Sequence, residues 1–339
     1  MCTRRLLLLE IPVPLRARRR LRYVVATPLI ISGALTTGYI TISLFMATQL
    51  AYAPHLLINK TPAALGLEFK EVTFPSRIDH LQLRGWLIPG ILPNGKLTTQ
   101  RTIIMVHGTR ANRTDPGAGL LNLSGELAHQ GFAILAFDMR GAGESPRAPL
   151  SLGYFEQRDV LGAVDFLQSD PLLYPDLGRP QSIAGWGISM GAATLLQAAA
   201  HEPAIRALVS DSAYADVIPV LQREIPKASH LPPLFTPGAL LAARALYGIN
   251  FYDVRPVDVV AKVAPRPIFF IHGKSDDDIP VSHMSLLADA ARLTPNAPVQ
   301  TWLVDGAKHA QAFNSMSNTY VSRVVDFYTT ALGPDSGSS

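Results

Sequence analysis

The sequence predicts an α/β domain, with a mostly parallel sheet flanked by helices, a short helical cap inserted over it, and one membrane-spanning helix in front. Continuous β-branched runs alternate with helical patterns along the body of the chain, as strands buried on both faces require. No repeat of fixed period and no long Gly/Ser linker interrupts that alternation. An uncharged apolar segment stands near the N-terminus. The length of 339 residues, a hydrophobic share of 48% and a single cysteine provide for a large core and exclude a disordered chain or a disulfide-stapled mini-fold.

The excess of positive charge is confined to one end. Residues 1–22 carry seven arginines (Arg4, Arg5, Arg16, Arg18, Arg19, Arg20, Arg22) against Glu10, which leaves 23 bases and 25 acids for the rest of the chain. A body so near neutrality is a poor nucleic-acid surface, so no nucleic-acid partner is expected. Residues 23–54 hold no charge, and 23–50 suffice for a transmembrane signal anchor, since about 20 apolar residues cross a bilayer. The arginines precede the span and the next base is Lys60, so residues 1–22 are expected as a basic cytoplasmic tail and the catalytic domain on the non-cytoplasmic side. Cys2 then faces the reducing side. Cleavage after an A-x-A site, Ala51-Tyr52-Ala53, with secretion, is the alternative. The apolar run exceeds an h-region of about 7–15 residues, and Pro54 follows the site, which favours the anchor.

The domain is expected over 55–333, with 334–339 a loose polar tail. Leu67–Phe74 and Leu81–Leu87 read as an antiparallel pair around a polar turn at 76–79. Strands follow at Thr102–Val106, Phe132–Phe137, Ser182–Trp186, Ala207–Ser210, Pro267–Ile271 and Gln300–Val304. Helical patterns occupy 118–129, 155–168, 190–200 and 318–331. Residues 213–261 hold six prolines and no clear strand, and are expected to form the cap, with 231–246 lining an acyl pocket.

Gly187-Ile188-Ser189-Met190-Gly191, between a strand and a helix, is a G-x-S-x-G nucleophile elbow. The turn is so tight that side chains at Gly187 and Gly191 would collide with neighbouring elements. It holds Ser189 at the carboxyl edge of the sheet, where helix amides favour developing negative charge. A serine needs a base and an orienting carboxylate, which follow in this architecture in the order serine, acid, histidine. Asp276 in the loop after Pro267–Ile271 is the expected acid, with Asp278 its first substitute and Asp211 a further alternative. Calcium binding by Asp276–Asp278 has no loop pattern behind it, and no metal is expected. His309, after the last strand, is the expected base. Oxyanion donors are expected from the amides of Met190 and Thr109, with Gly108 letting its loop come close. His107 is expected to fix that loop, and Asp138 to brace the turn 138–145. The dinucleotide fingerprint fails because Met190 stands where a third glycine is needed, and the phosphate-loop reading of Gly273-Lys274-Ser275 fails at Ile268.

His107-Gly108, the turn Asp138–Ser145, Gly187–Gly191, His272-Gly273 with Asp276, and His309 stand in an order that resembles the α/β-hydrolase superfamily, in its branch of serine-aminopeptidase-like, esterase and thioesterase domains. The resemblance spans almost all of 65–332 and implies an eight-stranded sheet and hydrolysis through a Ser-Asp-His triad without cofactor. Arg110 and Asn112–Arg113 depart from the small or apolar residues common in relatives, and bear on the substrate. The expected activity is cleavage of a carboxylic ester or thioester of a small acyl substrate, the membrane being engaged through the N-terminal helix. A peptidase acting on aminoacyl substrates is one alternative, and a non-catalytic binding module on the same fold is another.

Overall fold

Alternating apolar runs and helical patterns give the architecture they predict. The computed structural model describes residues 15–52, 54–169, 174 and 176–333, with side chains from Tyr23 onward. The tail up to Pro14 with Cys2, the cleavage-site residue Ala53 and the tail 334–339 lie outside the described residues. Eight strands form one sheet: β1 (Lys70–Pro75), β2 (Gln82–Ile88), β3 (Arg101–Val106), β4 (Ala133–Phe137), β5 (Ser182–Ile188), β6 (Ile205–Asp211), β7 (Ile268–Gly273) and β8 (Val299–Val304). Their spatial order is β1-β2-β4-β3-β5-β6-β7-β8. β2 pairs antiparallel with β1 and β4, and the other neighbours are parallel. Every residue of β3, β4, β5 and β7 is buried, which is why these strands read as unbroken apolar runs rather than alternating ones. A two-residue pair, Gly90–Ile91 with Leu97–Thr98, is an addition that its length hides in the sequence.

The helices are α1 (Leu15–Ala51), α2 (Leu120–His129), α3 (Gln157–Ser169), α4 (Met190–Ala199), α5 (Val217–Ser229), α6 (Thr236–Tyr247), α7 (Ser282–Ala291) and α8 (Ser317–Leu332). Two apolar clusters sandwich the sheet. One holds Phe74, Phe137, Leu195 and Phe270, and the other Trp86, Trp186, Tyr320 and Phe327. The segment expected as the cap leaves the sheet after β6, forms α5 and α6 with short one-turn helices, and returns at β7.

Helix α1 runs unbroken through Pro28, Gly33 and Gly38, and is long and apolar enough over Tyr23–Ala51 to cross a membrane. Its first apolar residues are bare: Tyr23, Val24, Leu29, Ile30 and Leu35 are each more than 60% exposed. It is therefore no core helix of the domain. Only its last turns are covered, with Ala47 and Ala51 buried and Leu150 N–H donating to the Ala51 carbonyl at 2.7 Å.

The expectation that 231–246 lines an acyl pocket is corrected. That stretch packs against α1, and the cavity wall comes from α5 instead.

Candidate active site

β5 ends at Ile188 and α4 begins at Met190, so Ser189 makes the turn with φ 53° and ψ −120°. This backbone region costs about 1–3 kcal/mol and persists where the surroundings over-determine it. A Cβ at Gly187 would lie 2.7 Å from the Gly191 carbonyl oxygen and 2.8 Å from Ala192 Cα. At Gly191 it would run into the carbonyl groups of Val106 and His107 at the end of β3. Backbone on both sides leaves no room to relax. We expect Gly191→Ala to cost about 3 kcal/mol of stability, measured as a lower thermal midpoint of the full-length protein in detergent.

Parallel pairing of β7 with β8 sets their two carboxyl-end loops side by side. Ser275 N–H donates to the Ala307 carbonyl at 2.9 Å, and a Cβ at Gly273 would strike the same carbonyl. The two loops and the elbow bring Ser189, His309 and Asp276 into one hydrogen-bonded chain. Ser189 Oγ lies 2.9 Å from His309 Nε2, and His309 Nδ1 lies 2.8 Å from Asp276 Oδ2. The second carboxylate oxygen, Asp276 Oδ1, accepts the N–H groups of Asp278 (3.0 Å) and Ile279 (2.7 Å). Burial alone would raise the Asp276 carboxyl pKa, but hydrogen bonds from His272, His309 and the Ile279 amide outweigh it and hold the group well below the carboxylate range. For His309, burial works against the charged form, yet the Asp276 carboxylate prevails and raises the imidazole pKa above 6.5.

His272, part of a motif that carries the resemblance but given no role there, is a participant in the site. It is fully buried at the end of β7, with Nε2 2.8 Å from the Ile279 carbonyl and 3.2 Å from Asp276 Oδ2. A histidine closing a buried strand four residues before the acid is the signal that could have found it. Neither alternative acid touches the imidazole. Asp278 lies at the rim of the cavity, 3.5 Å from Lys227 Nζ. Asp211 is buried, accepting from the hydroxyls of Ser212 (2.8 Å) and Tyr320 (2.9 Å), and Trp186 Nε1 donates onward to Tyr320 at 3.0 Å. Desolvation raises its pKa.

Gly108 brings its loop against the serine, where an added Cβ would lie 3.6 Å from Ser189 Cβ. Thr109 lines the cavity beside it, and the Met190 side chain is buried under the elbow. His107 ties this loop down: Nε2 accepts the Met139 N–H at 3.0 Å, so Nδ1 carries the proton and donates to the Gly108 carbonyl at 2.8 Å. Asp138 braces the adjoining turn, accepting from Arg113 N (2.7 Å), Arg113 Nη1 (2.9 Å) and Glu144 N (2.9 Å). Arg113 therefore says nothing of the substrate. It is 2% exposed, paired also with Glu144, and stacked 4.2 Å over the Trp86 ring. Asn112 is likewise buried, donating to the Leu56 carbonyl at 3.1 Å. Of these three departures only Arg110 faces the cavity.

The cavity above Ser189 holds about 800 Å³. Leu150, Leu152, Val220, Leu221 and Ile225 make it apolar, Leu50 and Leu56 from the end of α1 and the chain after it complete the wall, and Asp115, Glu224, Asp278 and Arg110 add charge. Among the described residues no group of three or more His, Cys, Asp or Glu is placed to hold a metal ion.

Compared with known proteins, residues 124–335 match the prolyl oligopeptidase family, peptidase S9. That span takes in Ser189, Asp276 and His309. The chain belongs to this family. It is a hydrolase of the α/β-hydrolase fold. Uncharacterized protein YfhR of Escherichia coli (strain K12) is 27% identical over 259 residues, 76% of this chain and 79% of that protein. Thiohydrolase aneE of Aspergillus aculeatus is 28% identical over 217 residues, 61% of each chain. Among solved structures, the Pyrococcus furiosus esterase Pf2001 superposes with a TM-score of 0.67 at 24% identity, over 83% of this chain and 100% of that one. That likeness shows the fold.

Proposed function

We propose that the protein is a membrane-anchored serine hydrolase that cleaves carboxylic esters or thioesters through an acyl-enzyme. The observation that carries this reading is the unbroken chain Ser189 Oγ–His309 Nε2 and His309 Nδ1–Asp276 Oδ2, at 2.9 and 2.8 Å, opening into a largely apolar cavity. His309 accepts the Ser189 proton as Oγ attacks the substrate carbonyl, and Asp276 holds the imidazole in the required tautomer and supports its positive charge. The amides of Met190 and Thr109 receive the oxyanion. His309 then protonates the leaving group, and water, deprotonated by the same imidazole, releases the acid. The leucine- and isoleucine-lined wall suits an acyl chain, and the thiohydrolase relative accords with a thioester leaving group. The N-terminus remains cytoplasmic and the domain lies across the membrane, since the arginines precede the span.

A peptidase is the second reading, favoured by the family and by Asp115, Glu224 and Asp278 in the cavity, which would attract a substrate amino group. Hydrolysis of p-nitrophenyl esters of graded chain length, acyl thioesters and aminoacyl amides by the purified full-length protein decides between them. The expected result is kcat/KM rising with chain length and well above that for any amide. Faster turnover of the amides would replace the ester reading with the peptidase.

A further inference from the structure

We infer that the outer surface of the cap, from Pro232 to Tyr252, lies in the interfacial layer of the bilayer that α1 crosses, so that the cavity opens beside lipid. This rests on the anchored-hydrolase reading above. Its first support is how tightly α1 holds α6. A Cβ at Gly238 would strike Ser43 Oγ and meet the Tyr39 ring at 2.8 Å. The Tyr39 hydroxyl donates to the Leu234 carbonyl at 3.1 Å, and its ring stacks on Phe235 with centroids 5.3 Å apart. Anchor and cap meet without intervening side-chain bulk at Gly238.

The second support is length. At about 1.5 Å per residue, a hydrocarbon layer of about 30 Å takes about 20 helical residues. Counted from Tyr23, the first residue after the arginine block, these end close to Ser43. Tyr39 and Ser43 thus stand at the far margin of the hydrocarbon, and whatever is packed on them shares that depth.

The third support is what the cap shows outward. Leu234 is 59% exposed, Leu241 69% and Tyr252 56%. Pro237, Leu241 and Ala245 recur at four-residue spacing on the exposed face of α6, and Arg244 is the one charge in that helix. No acid stands between Glu224 and Asp253; of the two bases in that stretch, Lys227 on α5 is paired with Glu224 and Asp278, and Arg244 lies on α6. An apolar helix face whose one charge is the cation Arg244 fits the headgroup boundary of an anionic membrane. Leu50 and Leu56 line the cavity just beyond this contact, so an acyl chain drawn from the bilayer reaches Ser189 alongside the end of the anchor.

The test uses full-length Cys2→Ser protein in phosphatidylcholine–phosphatidylglycerol vesicles, with single cysteines placed by Leu241→Cys or Leu234→Cys and carrying an environment-sensitive fluorophore. Leu35→Cys reports the span. Leu293→Cys reports the amino-terminal end of the parallel strands, away from the carboxyl end where the cap leaves the sheet, since Leu293 is 79% exposed and lies between α7 and the start of β8. Docking predicts several-fold stronger quenching by nitroxide lipids at 241 and 234 than at 293, together with protection from aqueous iodide. Lipid quenching at 35 with 241 and 234 as open to iodide as 293 overturns docking and leaves the anchor intact. Protection from iodide without lipid quenching assigns the surface to a second copy and also overturns it. An unquenched label at 35 removes the anchor, and docking with it. The same labels on a Ser189→Ala background report docking without turnover, so failure of the hydrolase reading shows separately.

Discussion

Replacing Ser189 by alanine is expected to lower kcat toward an acyl ester by on the order of 10⁶-fold and to abolish labelling by a fluorophosphonate, with the thermal midpoint little changed. The size follows from the loss of the one hydroxyl that the imidazole can deprotonate: His309 Nε2 lies 2.9 Å from Ser189 Oγ, and what survives is the oxyanion site and binding alone. The nearby Ser212 cannot stand in, because its Oγ is committed to Asp211 at 2.8 Å and accepts from the Ala310 amide at 3.3 Å. The fold is expected to tolerate the change, since the strain at this turn lies in the backbone and the hydroxyl makes no hydrogen bond beyond the imidazole among the described residues. An alanine variant that still hydrolysed esters at the native rate, or that still took up the probe, would end the serine-hydrolase reading.

Much of this site was legible because its constraints are local. Gly187 must be glycine because strand, turn and helix touch within five residues, and Gly191 because the turn sets it against the end of β3, so the pentapeptide marks the elbow by itself. The choice among Asp276, Asp277 and Asp278 could not be read from three adjacent aspartates. It is made by the turn in which Asp276 caps the amides of Asp278 and Ile279, which leaves its other oxygen for His309. Arg113 reads in the sequence as bearing on the substrate because the partners that bury it, Trp86, Asp138 and Glu144, are distant in sequence. The cap is expected from the sequence to be helical, but prolines that do its helices little harm keep their individual positions from being read. Pro219 sits in the first turn of α5, where a helix has no use for the N–H, and only Pro226 falls inside. The stretch 231–246 looked free to line a pocket because the element it packs against, α1, lies some 190 residues earlier.

Asp276→Asn is expected to reduce kcat by on the order of 10⁴-fold, and its pH dependence tells a catalytic loss from a structural one. Asparagine can turn an N–H donor toward His309 Nδ1, which then must accept, leaving Nε2 protonated and unable to take the serine proton. In the native protein the base is the neutral imidazole, and the Asp276 carboxylate raises the imidazole pKa despite burial. Activity should therefore be lost as pH falls through a midpoint above 6.5, the ordinary histidine value, while Asp276, held far below that range, stays ionised throughout. Without the carboxylate, burial acts on His309 with its main opponent gone, so the acid limb of kcat/KM against pH, which reports the free enzyme, should move to lower pH even as the plateau collapses. A variant that was merely misfolded would lose amplitude without moving the limb. Asp277→Asn, at an exposed neighbour outside the cavity, should change neither plateau nor midpoint. If Asp276→Asn kept the native rate and the native acid limb, the orienting carboxylate would have to be sought elsewhere, with buried Asp211 the first position to test.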